Sequence, residues 1–361
     1  MAPVDVAKAR NHGILPRLWP LVALLAIVAV IALCASFAPI VLQRRATQGL
    51  INLIAVVGLY VFVGNSGVLS FGNVAFMAVG AYVSALLTMK PTAKAVFLPE
   101  LPGLIAHAEW PSLPGALAGG GAAAVVAFLV GLPLMRLSGV SASIATFAVL
   151  VVVYIVLGNW TAVTGGQNSL MGLPAYVDLW TALGWALAAI IIAFAYQETR
   201  SALQLRASRE DEAAAQATGV DVVRHRLIAF VISAFLSGIA GVLLAHFLGI
   251  VRVENFYLDL TFLVVAMLII GGRGSLTGAV AGAVVIAVLT ELLRQIEIGV
   301  QIGKTTIGAP PGVGDVILAL IMLLIILFRP NGLAGGRELT WPFGRGPRQR
   351  VIRNDSSGNP V

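Results

Sequence analysis

Ten long apolar runs separated by short polar breaks leave this chain few folds to choose from. They lie near Leu18 to Ala38, Gln48 to Gly64, Phe71 to Met89, Leu113 to Leu134 and Ser141 to Gly158. The rest lie near Thr181 to Tyr196, Leu227 to Leu248, Leu260 to Ile270, Leu276 to Leu293 and Val316 to Phe328. About twenty apolar residues at 1.5 Å each cross the roughly 30 Å hydrocarbon core of a bilayer. The fold class expected is therefore an all-α, polytopic transmembrane helical bundle of about ten spans, with eight as the lower bound because several runs are short or glycine-interrupted. Phe71 to Met89 and the pair meeting around Gly271 to Gly278 read as broken or re-entrant helices, which membranes tolerate where the opened backbone faces protein or water. A soluble fold is excluded, since only 11% of the 361 residues are charged, against about 25% in soluble chains.

Lys8, Arg10 and Arg17 ahead of the first run also fit a secretory signal. Leu18 to Ala38 is twenty-one residues, however, longer than the roughly 7 to 15 of a signal's apolar region. Leu33 also precedes Cys34 where lipoprotein processing wants a small residue, so the run reads as an uncleaved anchor. Cys34 is the only cysteine, which rules out an intramolecular disulfide. A cytoplasmic N-terminus and ten crossings place sixteen of the 23 lysines and arginines inside and seven outside. That bias predicts a multi-pass cell-membrane (inner or plasma) protein with both termini cytoplasmic. The expected organisation is a cytoplasmic segment 1–17, a membrane domain 18–328 with an internal loop 197–226, and a cytoplasmic tail 329–361. Gly, Pro and Arg make that tail read as disordered and drawn to anionic lipid headgroups. The net charge of +7 is dispersed between spans and forms no continuous face, so no nucleic-acid partner is implied.

The spans are almost empty of the titratable groups that an ion-coupled carrier needs. Glu291 and Asp315 sit at span ends, and His246 lies near the outer end of its helix. There is no HExxH, no GxSxG and no paired histidine or carboxylate cluster, so neither a metal site nor catalytic residues are expected and the chain does not read as an enzyme. Gly299 to Thr305 looks like a phosphate-binding loop, but three residues separate its glycines where four are needed, and it falls in a predicted external loop. Any ATPase must then be a different chain.

The internal loop contains Arg209-Glu-Asp-Glu212-Ala-Ala-Ala-Gln-Ala-Thr-Gly219. Good helix formers from Arg206 to Ala217 predict one short helix, with Gly219 ending it in a left-handed cap. Its alanines suit close seating in a partner's groove, with Arg206, Arg209, Glu210, Asp211 and Glu212 as rim charges. This loop resembles the EAA loop of ATP-binding cassette (ABC) importer permeases. The form Glu212-Ala-Ala-Ala-Gln-Ala-Thr-Gly219 is similar to the branched-chain amino acid permease family, in its LivM branch, although the general motif places Glu where Ala213 stands. Other segments resemble the family in order: Gly64-Asn-Ser-Gly67 through Ser70, Gly72 and Asn73 to Tyr82, then Thr164-Gly165-Gly166-Gln167-Asn168, Gly271 to Gly278, and Arg329-Pro-Asn-Gly-Leu333.

The resemblance implies a permease subunit of an ABC importer for branched-chain amino acids or a related small polar solute. Relatives moving urea, amides or aromatic acids, and an ion-coupled secondary carrier, are the alternatives. The implied partners are a second homologous permease, two ABC ATPases carrying ATP and magnesium, an extracytoplasmic solute-binding protein, the small-molecule substrate and membrane lipid. No cofactor is bound by this chain itself. Arg209, Glu212, Ala214, Ala215 and Gly219 are the implied ATPase-coupling residues, and Thr164 to Asn168 the loop facing the binding protein. Asn52, Ser70 and Asn73 are candidates for lining the path, though interhelical hydrogen bonding is the commoner role of such asparagines. Ser233, Ser237 and Gly241, and Gly278 with Gly282, read as helix-packing faces.

Overall fold

The computed structural model describes residues 14–298, 300–302, 305–307, 310, 312–329, 332–335 and 338. Its helices are α1 (Ile14–Ser36), α2 (Ile40–Ser66), α3 (Asn73–Thr88), α4 (Pro91–Phe97), α5 (Gly103–Ala106), α6 (Ser112–Leu134) and α7 (Gly139–Asn159). There follow α8 (Thr161–Thr164), α9 (Leu179–Gln197), α10 (Arg200–Glu210), α11 (Glu212–Ala217), α12 (Val222–Leu248), α13 (Leu258–Gly271), α14 (Leu276–Ile298) and α15 (Val313–Phe328). Two short antiparallel ladders complete it: β1 (Leu170–Met171) with β2 (Ile250–Val251), and β3 (Val300–Ile302) with β4 (Thr305–Ile307). The second ladder holds the described residues of the segment that resembled a phosphate loop.

All ten apolar runs fall on helices. Among the described residues, eight stretches are long and apolar enough to span a membrane; α3 and α4 form a ninth candidate bent by 120°, and α15 contributes a shorter apolar helix. The chain is thus a polytopic helical bundle. On α1, α6, α7 and α15, large apolar side chains such as Val30, Leu129, Val152 and Leu327 are exposed, as lipid contact demands.

At the centre, α2 is buried without interruption from Leu50 to Ser66, with α9, α12, α13 and α14 packed round it. Small residues set how closely these helices approach. A β-carbon at Gly241 of α12 would overlap the Met77 carbonyl of α3, and one at Gly282 of α14 would overlap the Met267 carbonyl of α13. Both glycines therefore lie on packing faces, as expected from the spacing.

The bundle has two distinct ends. At one, Arg209 of α10 donates to Gly64 O at the end of α2 (3.1 Å), and Arg226 at the start of α12 donates to Leu137 O between α6 and α7 (3.5 Å). At the other, β1 pairs with β2, and exposed Trp110, Trp160 and Trp180 flank α6, α7 and α9. Indole rings at helix ends mark a membrane interface. We expect Gly241→Ala to cost about 1 to 3 kcal/mol by overpacking, read as a lower thermal unfolding midpoint in detergent. Gly121→Ala, where a β-carbon meets nothing within 4 Å, should leave the midpoint unchanged.

Candidate functional site

Between α9 and α12 the chain forms a hook. The sequence predicts one helix from Arg206 to Ala217, but the structure breaks it at Asp211, whose backbone is extended (φ −151°, ψ 106°). The Asp211 carboxylate accepts from Ala214 N at 2.9 Å and so caps α11, the local competition with helix that aspartate offers. Gly219 ends α11 as expected, at φ +86°. Gly219 N donates to Gln216 O (2.9 Å) and Val220 N to Ala215 O (3.1 Å), the paired bonds of a Schellman cap.

Of the anticipated rim charges, Arg209, Glu210 and Asp211 are exposed, whereas Arg206 and Glu212 are only half-exposed and turn towards the chain's own helices. Arg226 is 5% exposed and grips Glu212 through two bonds, Nη1 to Oε1 at 3.2 Å and Nη2 to Oε2 at 2.9 Å. Such bidentate geometry fixes orientation as well as adding energy. Arg209 lays its stem across Gly67, and Arg206 donates to Gln197 O. Glu212 is thus an anchor of the hook, and Arg226, fourteen residues on, is a partner that sequence spacing did not reveal. Ala215, expected among the coupling residues, is buried against the chain itself. Ala213, Ala214, Gln216, Ala217 and Thr218 form the exposed face.

The candidate path residues separate. Asn73 Oδ1 accepts from Ser237 Oγ (2.7 Å) and Ser233 Oγ (3.3 Å), while Nδ2 donates to Ala55 O (3.3 Å). Its amide therefore ties α3 to α2 and α12. The Asn52 side chain makes no hydrogen bond among the described residues, and Ser70 is buried in the link between α2 and α3.

The loop Thr164–Asn168 lies at the other end and divides by burial. Thr164 to Gly166 are buried: Thr164 Oγ1 donates to Leu157 O (2.5 Å) and Trp160 O (2.8 Å), with Gly165 and Gly166 at positive φ. Gln167 and Asn168 are exposed. Beside this loop, hydrogen bonds from Thr181 hold the Asp178 carboxyl below the usual carboxylate range as it caps α9. Burial pushes the Tyr176 phenol up to about 12.

The hook end also receives the chain's C-terminal segment. Leu333 N donates to Ile270 O (2.8 Å) and Ala334 N to Gly271 O (3.0 Å). Glu338 accepts from Leu276 N (2.8 Å), Thr277 N (3.2 Å), Thr277 Oγ1 (2.6 Å) and Gln197 Nε2 (3.1 Å). Its carboxylate thereby caps α14 and links it to α9. Of the tail whose composition reads as disordered, 330, 331, 336, 337 and 339–361 lie outside the described residues.

The profile of the family described as "Branched-chain amino acid transport system / permease component" matches residues 41–326. The chain belongs to that family. It is similar to the high-affinity branched-chain amino acid transport system permease protein LivM of Salmonella typhimurium, 31% identical over 264 residues, 64% of this chain and 58% of that protein. A probable LivM of Methanocaldococcus jannaschii is 24% identical over 44% of this chain and 49% of its own length. LivH of Salmonella typhi is 25% identical over 50% and 54%. The matches thus span about half the length of these relatives. No solved structure matches the chain. The matched region contains the whole hook, α10 and α11 included.

A bond to a charged group is worth about 1.5 to 3 kcal/mol, so Arg226→Met should speed hydrogen exchange in α11 by roughly tenfold or more. Glu210→Gln, at an ion pair whose carboxylate is 78% exposed, should leave that exchange unchanged.

Proposed function

We propose that this permease forms, with a second homologous permease, the membrane path of an ATP-driven importer. Two separate ATPase subunits, with ATP and magnesium, power it. The supporting observation is the hook: a short helix capped at both ends, anchored inward by Glu212 and Arg209, and presenting small side chains outward. An ATPase groove can seat closely on Ala213, Ala214 and Ala217. A push there passes through Glu212 and Arg226 to α12, and through Arg209 to α2. Those two helices pack on each other and on α3, so the lever reaches the centre of the bundle.

In this reading the hook end is cytoplasmic, and the end bearing Gln167 and Asn168 meets an extracytoplasmic solute-binding protein. The solute is a branched-chain amino acid or a related small polar molecule, as the relatives' names suggest. Asn52 and Ser70 are the path residues proposed from this chain; Asn73 positions α3 beside them.

With the ATPases co-expressed, Ala214→Trp and Ala217→Trp should abolish ATPase co-purification and uptake while leaving membrane insertion intact. Gly219→Val should do the same by straining a left-handed position by about 1 kcal/mol or more. Normal ATPase binding and uptake in all three would reduce the hook to a linker. In a Cys34→Ser background, a cysteine at Gln216 should react with an impermeant maleimide in inverted vesicles but not in intact cells. Uptake by the chain reconstituted alone under an ion gradient would instead assign it to the secondary carriers.

A further inference from the structure

A cavity of about 420 Å³ lies between α1, α2 and α14, away from the hook. Its walls are apolar, with Val28, Leu50, Leu53, Ala283 and Ala287 among them, while Arg45, Glu291 and Gln295 stand towards one end. Along α2 the lining runs from Leu42 to Leu53, about 17 Å at 1.5 Å per residue. One leaflet of a roughly 30 Å hydrocarbon core is about 15 Å deep. The groove therefore has the length of one leaflet and carries its charges at one end.

Those charges are incompletely matched. Arg45 Nε lies 3.9 Å from Glu291 Oε2, too far for a hydrogen bond, and Arg45 makes no hydrogen bond among the described residues. Glu291 Oε1 accepts only from Gln295 Nε2, at 3.3 Å, among the described residues. Water gains too few partners to occupy an apolar slot, and an empty one forfeits dispersion contacts. A free amino acid would match the two charges but leave most of the length unfilled.

We propose that this groove holds an acyl chain of a bilayer phospholipid whose phosphate sits on Arg45 and whose ammonium, as in a phosphoethanolamine head, sits on Glu291. The guanidinium supplies the donors that a phosphate accepts from, and the carboxylate supplies the acceptor an ammonium needs. The inference requires only that the chain is embedded in a membrane, and stands apart from the importer reading.

The test is native mass spectrometry of the full chain with its co-purifying subunits, stripped in detergent and offered dioleoylphosphatidylethanolamine or dioleoylphosphatidylglycerol. The unaltered chain should retain phosphatidylethanolamine in preference. Val288→Trp, which fills the slot from its exposed edge, and Arg45→Gln should each cut retention about tenfold, the scale of one charge-assisted bond. Glu291→Gln should remove the preference between the two lipids. Cys34 lines the groove and is the only cysteine, so its alkylation by N-ethylmaleimide should slow on adding phosphatidylethanolamine and not on adding leucine. The two glutamine variants alter partly exposed side chains, which keeps the test informative should Val288→Trp fold poorly. Unchanged lipid retention in Val288→Trp and Arg45→Gln would overturn the proposal. So would protection of Cys34 by leucine in place of lipid, or loss of subunit pairing with lipid retained, which would put a second chain over the groove.

Discussion

A backbone N–H or carbonyl opened inside a bilayer has no water to turn to, so each interruption of a membrane helix must be closed by other parts of the protein. Two links between helices of this chain, both at the hook end, are closed in this way. Between α2 and α3, Val68 N donates to Ser66 Oγ (3.2 Å), Phe71 N to Thr146 Oγ1 (3.2 Å), and Leu69 O accepts from Ser143 Oγ (2.8 Å). Between α13 and α14, Leu333 and Ala334 supply donors to Ile270 and Gly271, and Glu338 accepts from the first amides of α14. Side chains of α7 close the first break and the C-terminal segment closes the second.

The hook is joined to both closures. Arg209 donates to Gly64, three residues before the chain leaves α2 through Gly67. Gln197, at the end of α9 where the hook begins, shares the Glu338 carboxylate with the start of α14. The hook is therefore bonded to the residues that close both links, as well as to α12 through Arg226. Gly241 is set against Met77 and Gly282 against Met267, so α3 with α12 and α13 with α14 are tightly packed pairs, and interiors this dense transmit strain.

Hydropathy made the membrane bundle and the helices under all ten apolar runs legible without coordinates, because burial in lipid acts on whole runs of side chains. Gly219 was legible for a similarly local reason: the left-handed cap depends on the conformational freedom of one residue. The direction in which each hook residue points was not. Within α11, Ala214 and Ala215 are chemically alike, and only the seating of this short helix on its neighbours decides that Ala214 faces outward and Ala215 inward. Glu212 is equally suited to a partner or to an arginine of its own chain, and the fold brings Arg226 to it. Glu338 is a further case: it accepts from the first amides of α14 across sixty-two residues of chain, a partner that composition does not reveal. Local preference follows from the residues in order, whereas a charge or an amide takes its partner from distances that only the folded chain creates.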